Sequence, residues 1–242
     1  MNMKRLIILA FFITVPLIRA SSQEDSPKQL PRDNESRLTI PLTIREKHSS
    51  TAVSILFTRL PFDWVENEIE MPLFRVENRY HVTKGLVIES AIQTVIISNQ
   101  LRAGTHYYFG NGKISFGAGA DLEFMYGMMK IAGFNNKCSG MGIYPGFSAG
   151  YAFSKSTLVL KGEALLINSV KMTSGNEEII HLKNRFSGVS FSLLSEQPLW
   201  KNRYMIVGFT FNYQKFFYPA WPSFSTFDRY YFIPQFTASF VL

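Results

Sequence analysis

The chain alternates apolar residues with small or polar ones over long stretches, with a period of two. That period is typical of β-strands, in which successive side chains point to opposite faces. The clearest alternation covers residues 114–126, 141–153, 205–213 and 230–242. At the C-terminus one face carries Tyr230, Phe232, Pro234, Phe236, Ala238, Phe240 and Leu242. The sequence therefore predicts an all-β protein.

The average composition hides this pattern. The 242 residues have a mean hydropathy of +0.02, as in an ordinary soluble protein, yet 15% are aromatic and only 18% are charged. Strands with one apolar and one polar face explain the contradiction, because the two faces cancel in the mean. The length is ample for a sizeable core in one or two domains. The single cysteine excludes a disulfide scaffold.

The N-terminus has the features of a secretory signal peptide over residues 1–20: a short basic start, an apolar run and a small-residue cleavage point near Ala20. Removing its Lys4, Arg5 and Arg19 lowers the net charge from +7 to +4. Because so little positive charge is left, we do not expect a nucleic-acid partner.

A polar leader is predicted over residues 21–49, followed by the folded domain over residues 50–242. The leader contains a further alternation, with apolar residues at Leu38, Ile40, Leu42 and Ile44. A short additional strand there is therefore left open.

The less apolar faces of the strands favour a membrane barrel over a soluble sheet. They are rich in Gly and Ser and carry isolated charges, which suits a crowded lumen. The charges also pair across predicted hairpins: Arg79 lies opposite Glu89, and Ser148 opposite Lys161. A two-residue turn at Asn111-Gly112 would place Arg102 opposite Asp121 and His106 opposite Gly117.

Short connections alternate with long ones, as in transmembrane β-barrels with short periplasmic turns and longer extracellular loops. The short connections are 83–85, 110–112 and 154–155, and the long ones are 61–70, 127–139, 168–183 and 215–228. We expect about ten strands in a closed antiparallel barrel, with eight or twelve left open. An interfacial girdle is predicted from Phe109, Phe124, Tyr126, Tyr151, Phe153, Phe216, Phe217 and Tyr230.

In these features the chain resembles the small single-chain outer-membrane β-barrel proteins of bacteria. The resemblance rests on the signal peptide, the alternating strands and the last strand, Phe236-Thr-Ala-Ser-Phe240-Val-Leu242. It implies location in the bacterial outer membrane, contact with outer-membrane lipid, and recognition of the last strand by the barrel-assembly machinery. A terminal aromatic residue is usual in that family, and Leu242 departs from it. A secreted soluble barrel of lipocalin type, with its apolar faces inward, is the alternative.

Nine charged residues are predicted to face the lumen. Because small barrels have interiors filled by side chains, we expect these charges to pair with one another and plug a narrow barrel. An ion-selective constriction is the alternative. They are Arg75, Glu77, Arg79, Glu89, Arg102, Asp121, Glu123, Lys161 and Glu163.

Candidates for chemistry are few. His81 and His106 on lumen faces are weak catalytic candidates, because no histidine and serine stand in a set arrangement. Cys138 is alone in a predicted loop, and neither a metal site nor a cofactor is predicted. The loop after residue 215 is aromatic and is interpreted as folded over the barrel mouth, a partner- or glycan-binding patch being the alternative. Its main residues are Phe217, Tyr218, Trp221 and Phe224.

We therefore expect an integral outer-membrane barrel with a narrow, charge-plugged lumen that is structural or surface-binding and is not an enzyme. A lipid-modifying barrel enzyme of the lipid A deacylase type and a small-solute pore are the alternatives. The sequence assigns no ligand and no oligomeric state.

Overall fold

The protein was analysed as a computed structural model, which describes residues 49–62, 70–83, 85–110, 113–131, 134–153, 156–199, 203–223 and 229–242. The predicted signal peptide, its cleavage point near Ala20 and the leader with its optional strand lie outside these residues. So do Asn111, Gly112 and Phe224. Within the described ranges, no helix is long and apolar enough to span a membrane.

Ten antiparallel strands form one closed barrel, in which each strand pairs with its neighbours in sequence and β1 pairs with β10. The predicted strand number and topology are thus confirmed. The strands are β1 (Ser49–Arg59), β2 (Glu70–Thr83), β3 (Leu86–Val95), β4 (Ser98–Gly110), β5 (Ile114–Ile131), β6 (Phe134–Ala152), β7 (Thr157–Ser174), β8 (Glu177–Pro198), β9 (Tyr204–Gln214) and β10 (Tyr231–Val241). A short 3-10 helix, η1 (Tyr218–Ser223), lies between β9 and β10.

The two rims of the barrel differ. At the rim where β1 begins and β10 ends, called the terminal rim here, all connections between strands are short. At the opposite, distal rim the β1–β2 and β9–β10 connections are long, over residues 60–69 and 215–230. By analogy with barrels whose short turns are periplasmic, the distal rim is the extracellular one.

Two of the predicted long loops are wrong. Residues 127–139 and 168–183 are mostly strand, because β5 continues to Ile131 and β7 continues to Ser174 before each chain reverses. A membrane-spanning strand needs only about 9–11 residues. With 18 to 22 residues each, β5 to β8 extend well past the distal rim as paired hairpins.

The register between β4 and β5 differs from the prediction by two residues. Gly110 pairs with Ser115, so that Arg102 lies opposite Glu123 and His106 opposite Gly119. A shift of two residues keeps every side chain on its predicted face, because the side-chain period is also two. The pairings of Arg79 with Glu89 and of Ser148 with Lys161 are as predicted.

Candidate functional site

The outer surface of the barrel is an apolar band. Along β5, Phe116, Leu122, Phe124 and Tyr126 point outward and are about half exposed, whereas the intervening Asp121 is only 4% exposed. From Phe116 to Tyr126 the strand covers about 33 Å, or about 25 Å along the barrel axis at a tilt of about 40°. That height matches the apolar band of a lipid-spanning barrel.

The direction of the apolar faces decides between the two kinds of barrel. In a soluble barrel of lipocalin type the large apolar side chains would fill the interior, whereas here they cover the exterior on every strand. A closed barrel also leaves no strand edge unpaired in lipid, where each unsatisfied amide costs several kcal/mol. The chain is a transmembrane β-barrel of the outer-membrane type.

The aromatic girdle is confirmed in part by the exposure of its members. Phe109, Phe124, Tyr126, Tyr151 and Phe153 are all about half exposed on the outside. The prediction is wrong for Phe216 and Phe217, which are 1% and 6% exposed and point into the barrel.

All nine of the charged residues expected in the lumen line one internal cavity of about 180 Å³. They come from β2, β3, β4, β5 and β7, and together with His106, Tyr108 and Tyr144 they form what we call the ionic layer. The opposite wall carries neutral polar side chains from β8, β9, β10 and β1. These are Ser54, Ser190, Ser192, Thr210, Asn212, Gln235, Thr237 and Ser239.

The first centre of the ionic layer is Arg79, which is 5% exposed. Its Nη2 donates to Glu89 Oε1 at 2.6 Å and to the hydroxyl oxygen of Tyr108 at 3.0 Å. The Tyr108 hydroxyl donates in turn to Glu89. A residue with a Cβ in place of Gly117 would overlap the Tyr108 ring, so this glycine leaves room for the triad.

The second centre is Arg102, whose side chain reaches two carboxylates. Its Nε donates to Asp121 Oδ2 at 2.7 Å, and its Nη2 donates to Glu163 Oε1 at 2.5 Å. Glu163 lies on β7, three strands from β4, so this bond spans a narrow lumen. The guanidinium also stacks over Tyr144, with 4.2 Å from its Cζ to the ring centroid. Lys161 approaches Glu163 at 3.8 Å.

Glu123 shows that strand register alone does not identify ion pairs. It lies directly opposite Arg102 in the ladder, but the guanidinium binds other carboxylates. Glu123 accepts hydrogen bonds from Tyr144 at 3.2 Å and Gln100 at 3.3 Å instead. Sequence reasoning missed these two partners because uncharged residues give no signal of pairing.

The lumen is covered at the distal rim by an apolar cluster that we call the cap. Phe216, Phe217, Tyr218, Ala220 and Trp221 pack inward, all nearly buried. The other buried members of this cluster are Leu56, Leu60, Leu73, Met125, Cys138, Leu165, Ile167, Val170, Met172, Tyr231 and Ile233.

Two hydrogen bonds tie the cap to the barrel wall. Trp221 Nε1 donates to the carbonyl of Ile97 at 3.4 Å, and the Ser98 hydroxyl donates to the carbonyl of Pro219 at 3.3 Å. A side chain at Gly127 would overlap the Trp221 indole, so this glycine accommodates the ring. The residues Phe217, Tyr218 and Trp221, considered above as a possible surface patch, are thus buried in the barrel mouth.

At the terminal rim a smaller group of inward apolar residues, the floor, narrows the lumen. Tyr204 and Ile206 of β9 are 3% and 2% exposed. Leu194 of β8 joins the two clusters that make up this layer. Its other members are Ala52, Ala152, Val159 and Val241.

Both candidate histidines face the lumen, His81 at 3% and His106 at 5% exposure. His106 Nε2 lies 2.8 Å from Asp121 Oδ1, and its ring stacks on Tyr108. No serine or threonine hydroxyl of the described chain bonds to His106. Ser98 lies on the same strand as His106, eight residues away from it.

Cys138 lies in β6 and is fully buried in the cap, not in a loop as expected. In the part of the chain that the structure describes, no group of three or more His, Cys, Asp or Glu residues could hold a metal ion.

Comparison with known proteins gives no match to a family model and no match among curated proteins. Among solved structures, the chain is similar to Neisserial surface protein A at 8% identity and a TM-score of 0.39, covering 80% of this chain and 96% of that one. It is similar to the translocator domain of autotransporter NalP from Neisseria meningitidis at 8% identity and a TM-score of 0.38, covering 80% of this chain and 86% of that one. It is similar to Ail, the attachment invasion locus protein of Yersinia pestis, at 10% identity and a TM-score of 0.27, covering 80% of this chain and 97% of that one. These likenesses carry no argument about function.

Proposed function

We propose that this chain is an integral protein of the bacterial outer membrane with a closed lumen, and that it acts as a structural or surface-binding element and not as a catalyst. One arrangement supports the proposal: the cap and the floor lie at the two ends of the lumen, and the ionic layer surrounds the cavity between them. Small barrels have interiors filled by side chains, whereas pores keep a continuous aqueous path.

The ionic layer supports closure because each of its three arginines pairs with a carboxylate of the same layer. A selectivity filter needs charges that can exchange a protein partner for a passing ion. Arg79 and Arg102 are instead held by short bonds to Glu89, Asp121 and Glu163. Removing one partner would leave an unpaired buried charge, at a cost of several kcal/mol.

Location and assembly are part of the same proposal. Closed antiparallel barrels are the strand-built structures that span bacterial outer membranes. The predicted signal peptide, removed near Ala20, would direct export, and the barrel-assembly machinery would recognise β10 and the terminal Leu242. Lipids of the outer membrane would then cover the apolar band.

Planar bilayer recordings test the closed lumen. Purified protein that migrates as a heat-modifiable, folded species should insert and show no steady channel openings. Insertion is checked by protease protection of the same preparation in vesicles. Steady, reproducible openings from inserted protein would overturn the closed lumen and favour the small-solute pore.

The arrangement of His106 with Asp121 is the one feature that favours a lipid-modifying enzyme. It resembles two members of a catalytic triad, but no nucleophilic hydroxyl is bonded to the ring, and both residues are buried in the lumen away from lipid. We therefore interpret it as part of the ionic layer. Lipid A composition, measured by mass spectrometry, should be unchanged in His81→Ala, His106→Ala and deletion strains. An altered acylation pattern in the deletion strain and His106→Ala alike would establish the enzyme.

A further inference from the structure

The outer surfaces of the four long strands carry a row of lysines. Each strand from β5 to β8 contributes one: Lys130, Lys137, Lys171 and Lys183, all exposed. We call these four residues the lysine face. They lie beyond the apolar band on the extended hairpins, a part of the chain whose sequence predicts loops.

The strand register places the four lysines side by side. Lys130 pairs with Asn135 and Lys137 with Met128, so that the two lysines are diagonal neighbours on the outer face of β5 and β6. Lys137 pairs with Thr173 and Lys171 with Ser139, which gives the same diagonal between β6 and β7. Diagonal neighbours are about 7–8 Å apart.

The diagonal continues to the fourth strand. Lys171 pairs with His181 and Lys183 pairs with Ser169, so Lys183 is the next diagonal neighbour. The offset of two residues at each strand follows the tilt of the strands in a sheared barrel. The four lysines therefore lie at similar heights and form a row along the edge of the membrane.

Their height is that of lipid headgroups. The last outward apolar residues below them are Met128, Met141, Leu166 and Phe186, between two and five residues away along each strand. At about 3.3 Å per residue on a tilted strand, the lysine Cα atoms lie roughly 5–13 Å beyond the apolar band. The headgroup region extends about 5–8 Å beyond the hydrocarbon core on each side, and long lysine side chains reach back to it from the higher positions.

The lysine face carries a net positive charge. Beyond the band, β5 to β8 carry the four outward lysines against two acidic residues, Glu177 and Glu178. Arg185 pairs with the inward Ile167 and therefore lies on the opposite face of the sheet. Glu178 accepts a hydrogen bond from Lys171 at 2.7 Å and lies 3.3 Å from His181, and the bond from Lys171 lowers its pKa. Within the described ranges, the other three lysines form no ion pair with a carboxylate.

The first four strands show no such row at this rim. There Arg59 of β1 lies directly opposite Glu70 of β2, so a cation is matched by an acid. The outward residues at the ends of β3 and β4, Thr94 and Asn99, are neutral and hydrogen-bonded to each other. The row of four lysines is thus confined to β5 to β8. Two further cations at this rim, Lys215 after β9 and Arg229 before β10, lie over the rings of Tyr230 and Tyr231.

We propose that the lysine face binds the phosphate groups of a phosphorylated glycolipid in the outer leaflet, of the lipid A class. This rests on the proposed function, because the lysine face lies at the level of the lipid headgroups only if the apolar band is in a membrane. A row of exposed ammonium groups 7–8 Å apart attracts closely spaced phosphates on a lipid surface. The extended hairpins provide the wall against which the sugar headgroup lies.

The proposal is tested by measuring how tightly diphosphorylated lipid A binds to the purified full chain in a zwitterionic detergent. Wild-type protein is compared with a variant in which all four lysines of the lysine face are changed to Gln. A cation near an anionic surface strengthens association about fivefold, so four substitutions should weaken binding by at least about 100-fold. Wild-type protein should prefer diphosphorylated over dephosphorylated lipid A, and high salt should reduce the preference because it screens exposed charges.

Two control variants are matched in number. Changing the same four lysines to Arg should preserve binding, because the charge is kept. Changing Lys84, Lys113, Lys155 and Lys201 to Gln removes four lysines that lie in the sequence between consecutive strands, outside β5 to β8, and it should also preserve binding. Equal binding by the Gln variant of the lysine face and wild type would overturn the proposal, as would equal loss in this second control.

The outcomes separate this inference from the proposed function. Heat-modifiable migration and detergent dependence report on the membrane barrel and should be kept by all variants. If they are kept while diphosphorylated lipid A binds no better than its dephosphorylated form, the inference alone fails. If the protein is soluble without detergent, the membrane barrel fails first. If the Gln variant lost binding of an acidic polysaccharide but kept binding of lipid A, the surface would be assigned to a polymer and the lipid proposal would be overturned.

Discussion

The ionic layer and the lysine face contain the same kinds of charged residue in opposite settings. In the lumen Arg102 is 15% exposed in its side chain and bonds to two carboxylates, whereas on the exterior Lys171 is 50% exposed and pairs with one exposed glutamate. A buried charge cannot lose its partner without a large cost, but an exposed pair contributes little. The comparison teaches that lumen charges hold the barrel together, and that exterior charges are available to a ligand.

Removing one cation from each setting should have the largest effect and the sharpest contrast. Arg102→Met leaves Asp121 and Glu163 buried without their main partner, so we expect the free energy of unfolding in lipid vesicles to fall by about 3–5 kcal/mol. Lys171→Met on the exterior should change it by less than about 0.5 kcal/mol. Urea titrations followed by heat-modifiable migration measure both. Similar losses in the two variants would break the comparison.

Moving a charge to the wrong height on the exterior should have the next largest effect. Leu122→Arg places a cation in the middle of the apolar band, and we expect a loss of about 2–4 kcal/mol in the free energy of unfolding. Met128→Arg, close to the lysine face on the same strand, should cost about 0–1 kcal/mol because the charge reaches the interface. The same titrations apply, and equal costs at the two heights would contradict the position assigned to the band.

Two adjacent residues of β6 test the difference between interior and exterior. Cys138 is fully buried in the cap, whereas Lys137 is exposed on the lysine face. A maleimide should react with Lys137→Cys, made in a Cys138→Ser background, at least roughly 100-fold faster than with the native Cys138, which reacts only when the cap opens. Unfolding the protein should abolish the difference. Rapid labelling of Cys138 in the folded barrel would show that the cap does not exclude water.

The smallest effect is expected for the acid within the lysine face. Glu178→Gln removes the partner of Lys171 and should tighten binding of diphosphorylated lipid A at pH 7 by about fivefold. Because its pKa is lowered in the fold, the contribution of the Glu178 carboxylate to stability is present above its unfolded pKa and is lost as the pH falls through the folded value. Wild type and variant should therefore bind alike once the glutamate is protonated. Weaker binding by the variant at pH 7 would oppose the proposal.

The sequence was sufficient for the architecture because a period of two is a local property. Each strand shows its lipid and lumen faces without reference to any other strand, which is why Arg79, Glu89 and Lys161 could be assigned to the interior. The same period concealed the error in the predicted register of β4 and β5, since a shift of two residues leaves every side chain on its predicted face.

What could not be predicted depends on contacts between distant strands. Glu163 bonds to Arg102 across three strands, and no spacing along the chain indicates that. Phe216 and Phe217 were placed in the girdle because they follow an alternating strand, but after β9 the chain turns inward and the period ends. The lysine face needs the register of four strands at once, and the glycines and asparagines around residues 127–139 favoured loops there.

The central claim is that the apolar faces meet lipid and the polar faces meet a closed lumen. Strand β1 tests it most directly, because Val53, Ile55 and Phe57 point outward, Ser54 and Thr58 are buried, and Leu56 faces the lumen. Single cysteines at residues 53–58, in a Cys138→Ser background, are labelled with a nitroxide in lipid vesicles. Collision with oxygen, which concentrates in the bilayer, should be frequent at 53, 55 and 57 and infrequent at 54, 56 and 58. The opposite alternation, or none, would contradict the account.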